Sequence, residues 1–104
     1  MKKLLIALLA CSSLTAFADD VAAGRAKSDA ACALCHGAIG IATLPNAPSL
    51  AGQSAIYVSE QLKNYRSGKR QNAVMGVIAM QLTDADISNL AAWFSVIKVT
   101  AEAP

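Results

Sequence analysis

Apolar side chains recur along the chain at the three- and four-residue spacing of helix faces, and no stretch sustains the alternation of a half-buried strand. From Val21 to about His36 alanines dominate and proline is absent, which favours helix. Gly24, Ser28 and Ala31 would let a second helix approach this one closely. Gly37 to Gly52 carries three glycines with Pro45 and Pro48 and reads as a loop. Ser54 fits the N-cap of a helix running to about Arg66, with Val58, Leu62 and Tyr65 as its apolar stripe and Ser67-Gly68 as its stop. Residues 69–82, with Gly76 and two methionines, read as mostly irregular. Thr83 opens a last helix with Asp86 in the capping-box position, and Ile87, Leu90, Ala91, Phe94 and Ile97 follow on one face. The expected fold class is all-α: three to four main helices with long loops. Loops of that length in so short a chain call for something large between them.

The first 18 residues read differently from the rest. Lys2 and Lys3 precede the apolar run Leu4 to Ala10, and the small-residue triplet Ala16-Phe17-Ala18 closes the segment. This is the pattern of an export signal, with cleavage expected after Ala18 and a mature domain from Asp19 to Pro104. Cys11 and its two following serines interrupt the apolar run well short of the roughly 20 residues that span a bilayer. Leu8-Leu9-Ala10-Cys11 offers a competing lipoprotein site, which would anchor the chain through Cys11. Either way the protein is expected to be exported to the periplasm, with no membrane-spanning segment in the mature chain.

Losing the signal changes the charge. The whole chain has nine basic and seven acidic residues, net +2, and Lys2 and Lys3 supply the entire excess. A neutral mature domain excludes the strongly basic surface expected of a nucleic-acid binder. It is also small enough for its core to be marginal, so a staple of some kind is needed.

Cys32-Ala33-Leu34-Cys35-His36 supplies a candidate staple, because C-x-x-C-H is the attachment pattern of c-type haem. Residues three and four apart share a helix face. Cys35 and His36 stand three and four residues after Cys32, so both sulfurs can reach the vinyl groups on one porphyrin edge while the imidazole turns under the iron. A Cys32–Cys35 disulfide uses the same spacing, but thioredoxin-like sites sit beside a βαβ pattern that is absent here. Zinc would need a further ligand, and His36 is the single histidine while Cys11 lies in the signal.

With these residues in place, the chain resembles the class I c-type cytochromes. It is most similar to the small monohaem bacterial cytochromes whose domain resembles one half of the dihaem cytochromes c-four. The similar stretches are Gly24-Arg25-Ala26-Lys27, Cys32 to Gly37, Pro48-Ser49-Leu50-Ala51-Gly52-Gln53, Tyr57 with Gln61-Leu62, and Leu82-Thr83-Asp84-Ala85-Asp86-Ile87. They cover nearly the whole mature chain in the family's order. The resemblance implies helices wrapped around one haem c, bound through Cys32 and Cys35, with long haem-covering loops.

One axial position beyond His36 then has to be filled, and Met75 and Met80 are the two methionines of the mature chain. Met75-Gly76-Val77-Ile78-Ala79 resembles the family's axial-ligand segment, so Met75 is the expected sixth ligand. Met80, three residues before Thr83, is expected to pack under the last helix as filler. Histidine–methionine ligation raises the reduction potential and leaves no open position for a substrate.

The resemblance assigns further roles. Pro48 matches the proline whose carbonyl accepts the proton of the other nitrogen of His36. Gly24 with Trp93 or Phe94 fits a close crossing of the first and last helices. Tyr57 and Tyr65 are expected to wall the haem pocket, the alternative being half-buried surface tyrosines. Lys63, Arg66, Lys69 and Arg70 form the one concentrated basic stretch. It could steer a redox partner, complement a helix end, or pair Arg66 or Arg70 with a haem carboxylate.

The function expected is single-electron transfer by a non-enzymatic periplasmic carrier. Its partners would be electron donors and acceptors such as a quinol-oxidising complex, a dehydrogenase or a terminal oxidase. The alternative is the cytochrome subunit of a larger dehydrogenase, acting for example on sulfur compounds or alcohols. A haem enzyme or gas sensor is disfavoured, because two methionines stand ready for the iron and there is no distal histidine.

Overall fold

The structure is a computed structural model and describes residues 20–104; the expected export signal and Cys11 lie outside the described residues. Five helices follow in order: α1 (Val21–Ala31), α2 (Ala33–His36), α3 (Ala55–Ser67), α4 (Ala73–Met80) and α5 (Asp84–Val96). Among the described residues there is no strand.

Each long helix begins where its sequence supplies a cap. The Asp20 carboxylate accepts from the Ala23 amide at 3.0 Å and starts α1. Ser54 caps α3. Thr83 and Asp86 form the expected reciprocal capping box at α5, the Thr83 hydroxyl accepting from the Asp86 amide at 3.1 Å and the Asp86 carboxylate from the Thr83 amide at 3.0 Å. At the far end of α3, Arg66 donates to the Leu82 carbonyl at 3.1 Å and to Asp84 at 2.6 Å. That fork ties the end of α3 to the start of α5.

Helix α1 crosses α5, which also packs against α3, and the core lies between them. Val58, Leu82, Ile87, Leu90, Ala91 and Phe94 form it, with Ile87, Leu90 and Phe94 almost wholly buried. The crossing depends on Gly24: a Cβ there would run into the Asn89 carbonyl and lie 2.9 Å from the Trp93 Cβ. Trp93, rather than Phe94, is thus the aromatic residue at the crossing. Phe94 turns inward instead, where the glycine at position 40, at φ 76°, lets the 37–52 loop lie against its ring.

Two expectations need correction. The first helix does not run unbroken to His36; it stops at Cys32, and α2 restarts for four residues. Residues 69–82 are not mostly irregular either, because 73–80 form α4. Asn72 is the reason: its side chain accepts from the amides of Val74 and Met75 at 3.0 and 2.9 Å, and an uninterrupted apolar run follows. Gly76 costs this helix some propensity but no packing, since nothing lies within 4 Å of where its Cβ would be. Helix α4 packs chiefly on α3.

Candidate haem-binding site

The C-x-x-C-H stretch is a single turn built from local hydrogen bonds. The amides of Cys35 and His36 both bond to the Cys32 carbonyl, at 3.3 and 2.9 Å, and the Gly37 amide bonds to Ala33 at 2.9 Å. This turn puts Cys32, Cys35 and His36 on the wall of one cavity, while Leu34, between the cysteines, is 88% exposed. The two cysteines are not bridged. Burial pushes the Cys32 thiol up from its ordinary value, and the nearby Ser28 hydroxyl and Lys27 charge oppose the rise. Among the described residues no group of three or more His, Cys, Asp or Glu side chains is arranged to hold a metal ion.

The loop after the turn returns across the imidazole. Thr43 donates to the Leu34 carbonyl at 3.2 Å, the Leu50 amide donates to Gly40 at 2.7 Å, and Ser49 accepts from the Ala42 amide at 3.0 Å. These contacts place the Pro48 carbonyl 2.8 Å from Nδ1 of His36. A carbonyl can only accept, so Nδ1 carries the proton and donates. In the neutral ring this arrangement leaves the lone pair on Nε2, as an iron ligand requires.

The cavity measures about 500 Å³, within the range of cofactor sites. Leu50, Val58, Leu62, Leu90 and Phe94 give it apolar walls. Tyr57, Tyr65 and Met75 line the same space, Tyr57 remaining 47% exposed. Both tyrosines therefore wall the cavity, and Tyr57 also reaches the surface. An apolar chamber with two thiols and an oriented imidazole on one wall and a thioether among its other lining groups suits a flat, apolar, iron-bearing ring.

Met80 is placed differently from expectation. It does not pack under the last helix; it is 71% exposed and borders a separate shallow cleft beside the end of α3. The helical geometry of α4 explains this. Residues five apart lie on different faces, so when Met75 meets the cavity Met80 cannot. The sequence reading also missed Gln53, Gln61 and Asn72 on the cavity wall. For Asn72 a signal existed, an N-cap residue directly before an apolar run.

The cytochrome c family model matches residues 21–97. The chain belongs to the cytochrome c family. It is similar to cytochrome c4 of Pseudomonas aeruginosa, 41% identical over 103 residues, a match covering 96% of this chain and 51% of that protein. It is also similar to cytochrome c-554(548) of Halomonas halodenitrificans, 42% identical over 81 residues, covering 75% of this chain and 96% of the relative. Among solved structures, a cytochrome c4 of Acidithiobacillus ferrooxidans superposes with a TM-score of 0.70 at 33% identity, covering 74% of this chain and 49% of that one. The chain thus spans about half the length of the cytochrome c4 relatives it matches. Its fold is that of a class I cytochrome, and membership of the cytochrome c family implies covalently bound haem c.

Proposed function

We propose that the protein is exported to the periplasm and carries single electrons through one haem c, thioether-bonded to Cys32 and Cys35, with His36 and Met75 as its axial ligands. The observation that carries this reading is that these four side chains line a single apolar cavity, with the His36 ring already oriented by Pro48. When bound, the haem supplies an iron that alternates between ferrous and ferric states. The chain's own residues do the rest. The two thiols fix the ring's edge covalently, which anchors the largest apolar group of a domain with a small core. Pro48 holds the imidazole in one tautomer and raises its basicity. The Met75 sulfur, on the helix capped by Asn72, supplies the ligand type that raises the potential. Leu50, Leu62, Leu90 and Phe94 keep water from the interior.

With both axial positions taken, the site binds no substrate, and its partners are a donor and an acceptor such as a quinol-oxidising complex, a dehydrogenase or a terminal oxidase. The exposed apolar side chains Leu44, Tyr57 and Val74 at the cavity suit brief contact with such partners. The test is the visible spectrum of protein matured in a host competent for haem attachment. Covalent haem bands with a weak red band of ferric iron–sulfur ligation are expected, the red band vanishing in Met75→Ala and persisting in Met80→Ala. The reverse pattern, or a large spectral change of the reduced protein under carbon monoxide, overturns the ligand assignment.

A further inference from the structure

Leu34, Ile39 and Ile41 form an exposed apolar surface on the outside of the attachment turn, and none of them lines the cavity. The backbone joins them. A Cβ at Gly37, whose φ is 85°, would run into the Ile41 carbonyl, so the loop lies tight against the end of α2. The Thr43 hydroxyl donates to the Leu34 carbonyl at 3.2 Å and the Thr43 amide to the Cys35 carbonyl at 3.3 Å, which ties the returning loop to the same turn. Leu34 points outward because Cys35, its neighbour, faces the cavity. That geometry does not require the outward residue to be leucine. A polar side chain would serve the turn as well, and a contiguous exposed apolar patch marks a contact surface.

Charge decides what the contact is. Asp, Glu, Lys and Arg are absent from residues 30–59, the segment that builds this face. A partner of either charge finds no counter-charge in it, whereas a second copy brings no like charge against its own. The exposed apolar surface on α4, made by Val74, Val77 and Met80, differs. Its neighbouring cleft is bordered by Arg66 and Arg70, so a copy seated there would set cation against cation. The expected mature chain is formally neutral, and two copies approach without net repulsion. In the cytochrome c4 relatives the matched half shares one chain with a further stretch of about the same length.

We propose that two copies of this protein pair through Leu34, Ile39 and Ile41 of each. The pairing is isologous, the same patch meeting itself across a two-fold axis, the commonest closed arrangement of identical chains. Its backbone is already fixed by hydrogen bonds, so little freedom is lost when the patch is covered. The patch is small, which fits a reversible, concentration-dependent pair. Tyr57 and Val74, at the cavity, stay outside this face for a donor or acceptor. Resting on the reading that each attachment turn holds one haem, the pair is a particle with two one-electron sites, their turns on either side of one interface.

The experiment is sedimentation equilibrium of the holoprotein over a concentration series at low and high salt. Expected is a mass rising from one chain to two with concentration and undiminished by salt, because no ionic contact holds the pair. Leu34→Glu and Leu34→Lys should each weaken pairing about tenfold or more, and an equimolar mixture of the two should restore it, as opposite charges then meet. Val77→Glu, on α4, should leave it unchanged. A single-chain mass at every concentration, pairing that salt dissolves, a mixture no better paired than either variant alone, or an equal loss in Val77→Glu overturns the proposal. If the Leu34 variants, placed between the attachment cysteines, yield no holoprotein, Ile39→Glu and Ile39→Lys are read by the same criteria. Failure of the haem reading is distinct, since mass spectrometry would then find the wild-type protein without covalent haem whatever its association.

Discussion

Nδ1 of His36 lies 2.8 Å from the carbonyl oxygen of Pro48, and this contact decides which ring nitrogen faces the cavity with a lone pair. The acceptor is backbone, so no side-chain change deletes it, but Pro48→Ala frees the φ angle that holds the carbonyl in place. A loosened hydrogen bond makes the imidazole a weaker donor to iron and favours the ferrous state. The potential of Pro48→Ala is expected to rise, by at most about 40 mV if a hydrogen bond worth roughly 1 kcal/mol is lost. Potentiometric titration reads this directly, and a fall would contradict it.

The α1–α5 crossing leaves no room for a Cβ at Gly24. Gly24→Ala must push α1 off the Asn89 carbonyl, a backbone group that cannot swing aside. The expected cost is about 1–3 kcal/mol, or more if the helices cannot separate. For a domain of this size that lowers the unfolding midpoint by roughly 4–8 °C per kcal/mol. Calorimetry of the holoprotein measures it, and an unchanged midpoint would mean that the crossing is looser than described.

Two carboxylates at the start of α5 give the fold an acid limit. The Thr83 amide holds the Asp86 carboxyl below its usual range, helped by the Thr83 hydroxyl and Lys27, and Arg66 does the same for Asp84. Groups depressed in the folded state stabilise it above their unfolded values, about 3.9 for aspartate, and that stability drains away as pH falls through the lower folded values. Denaturation midpoints measured from pH 5 to pH 2 are expected to fall below about pH 4. Thr83→Ala should cost about 1 kcal/mol at neutral pH, and Asp86→Asn, which removes the titrating carboxylate, should flatten the acid slope. A slope as steep as that of the wild type would argue against the capping box as its source.

The side-chain hydrogen bonds of Asn72 both go to the first turn of α4, so the effect of losing them is expected to be local. Asn72→Ala should destabilise that helix by about 1 kcal/mol. With Met75 as ligand, the red iron–sulfur band should then fade at a lower temperature than in wild type, while the global unfolding midpoint moves little. Optical melts at the red band and in the far ultraviolet separate the two. Coincident shifts of both would show that α4 is not an independent unit.

How much could be read from the chain depended on whether the signal was local. The caps at Ser54 and Thr83, the stripe on α5 and the attachment turn are each written within a few residues, and they stand where the sequence puts them. Within 69–82 Gly76 and the methionines suggest irregular chain, but Asn72 directly ahead of an apolar run starts a helix. Met80 stands near Thr83 in sequence, yet the geometry of that helix turns it outward. Trp93 and Phe94 are neighbours in sequence, and only the Gly24 contact decides which one meets α1. The break at Cys32 has no proline or glycine to announce it. The cavity wall is the least legible part, since Gln61, Tyr65 and Arg70 meet only when α3 and the segment after it fold back together.

The turn that bears both cysteines and the histidine closes on itself. The backbone bonds that close it join Cys32 to Cys35 and His36, and Ala33 to Gly37, within a six-residue stretch. A chain that has formed nothing else can present this turn, because no distant contact is needed to shape it. The helices that complete the cavity, α3 and α5, join it only through long excursions of the chain. Assembly can therefore begin at the attachment turn and end at the walls, with the cofactor acting as the nucleus on which the remaining helices condense.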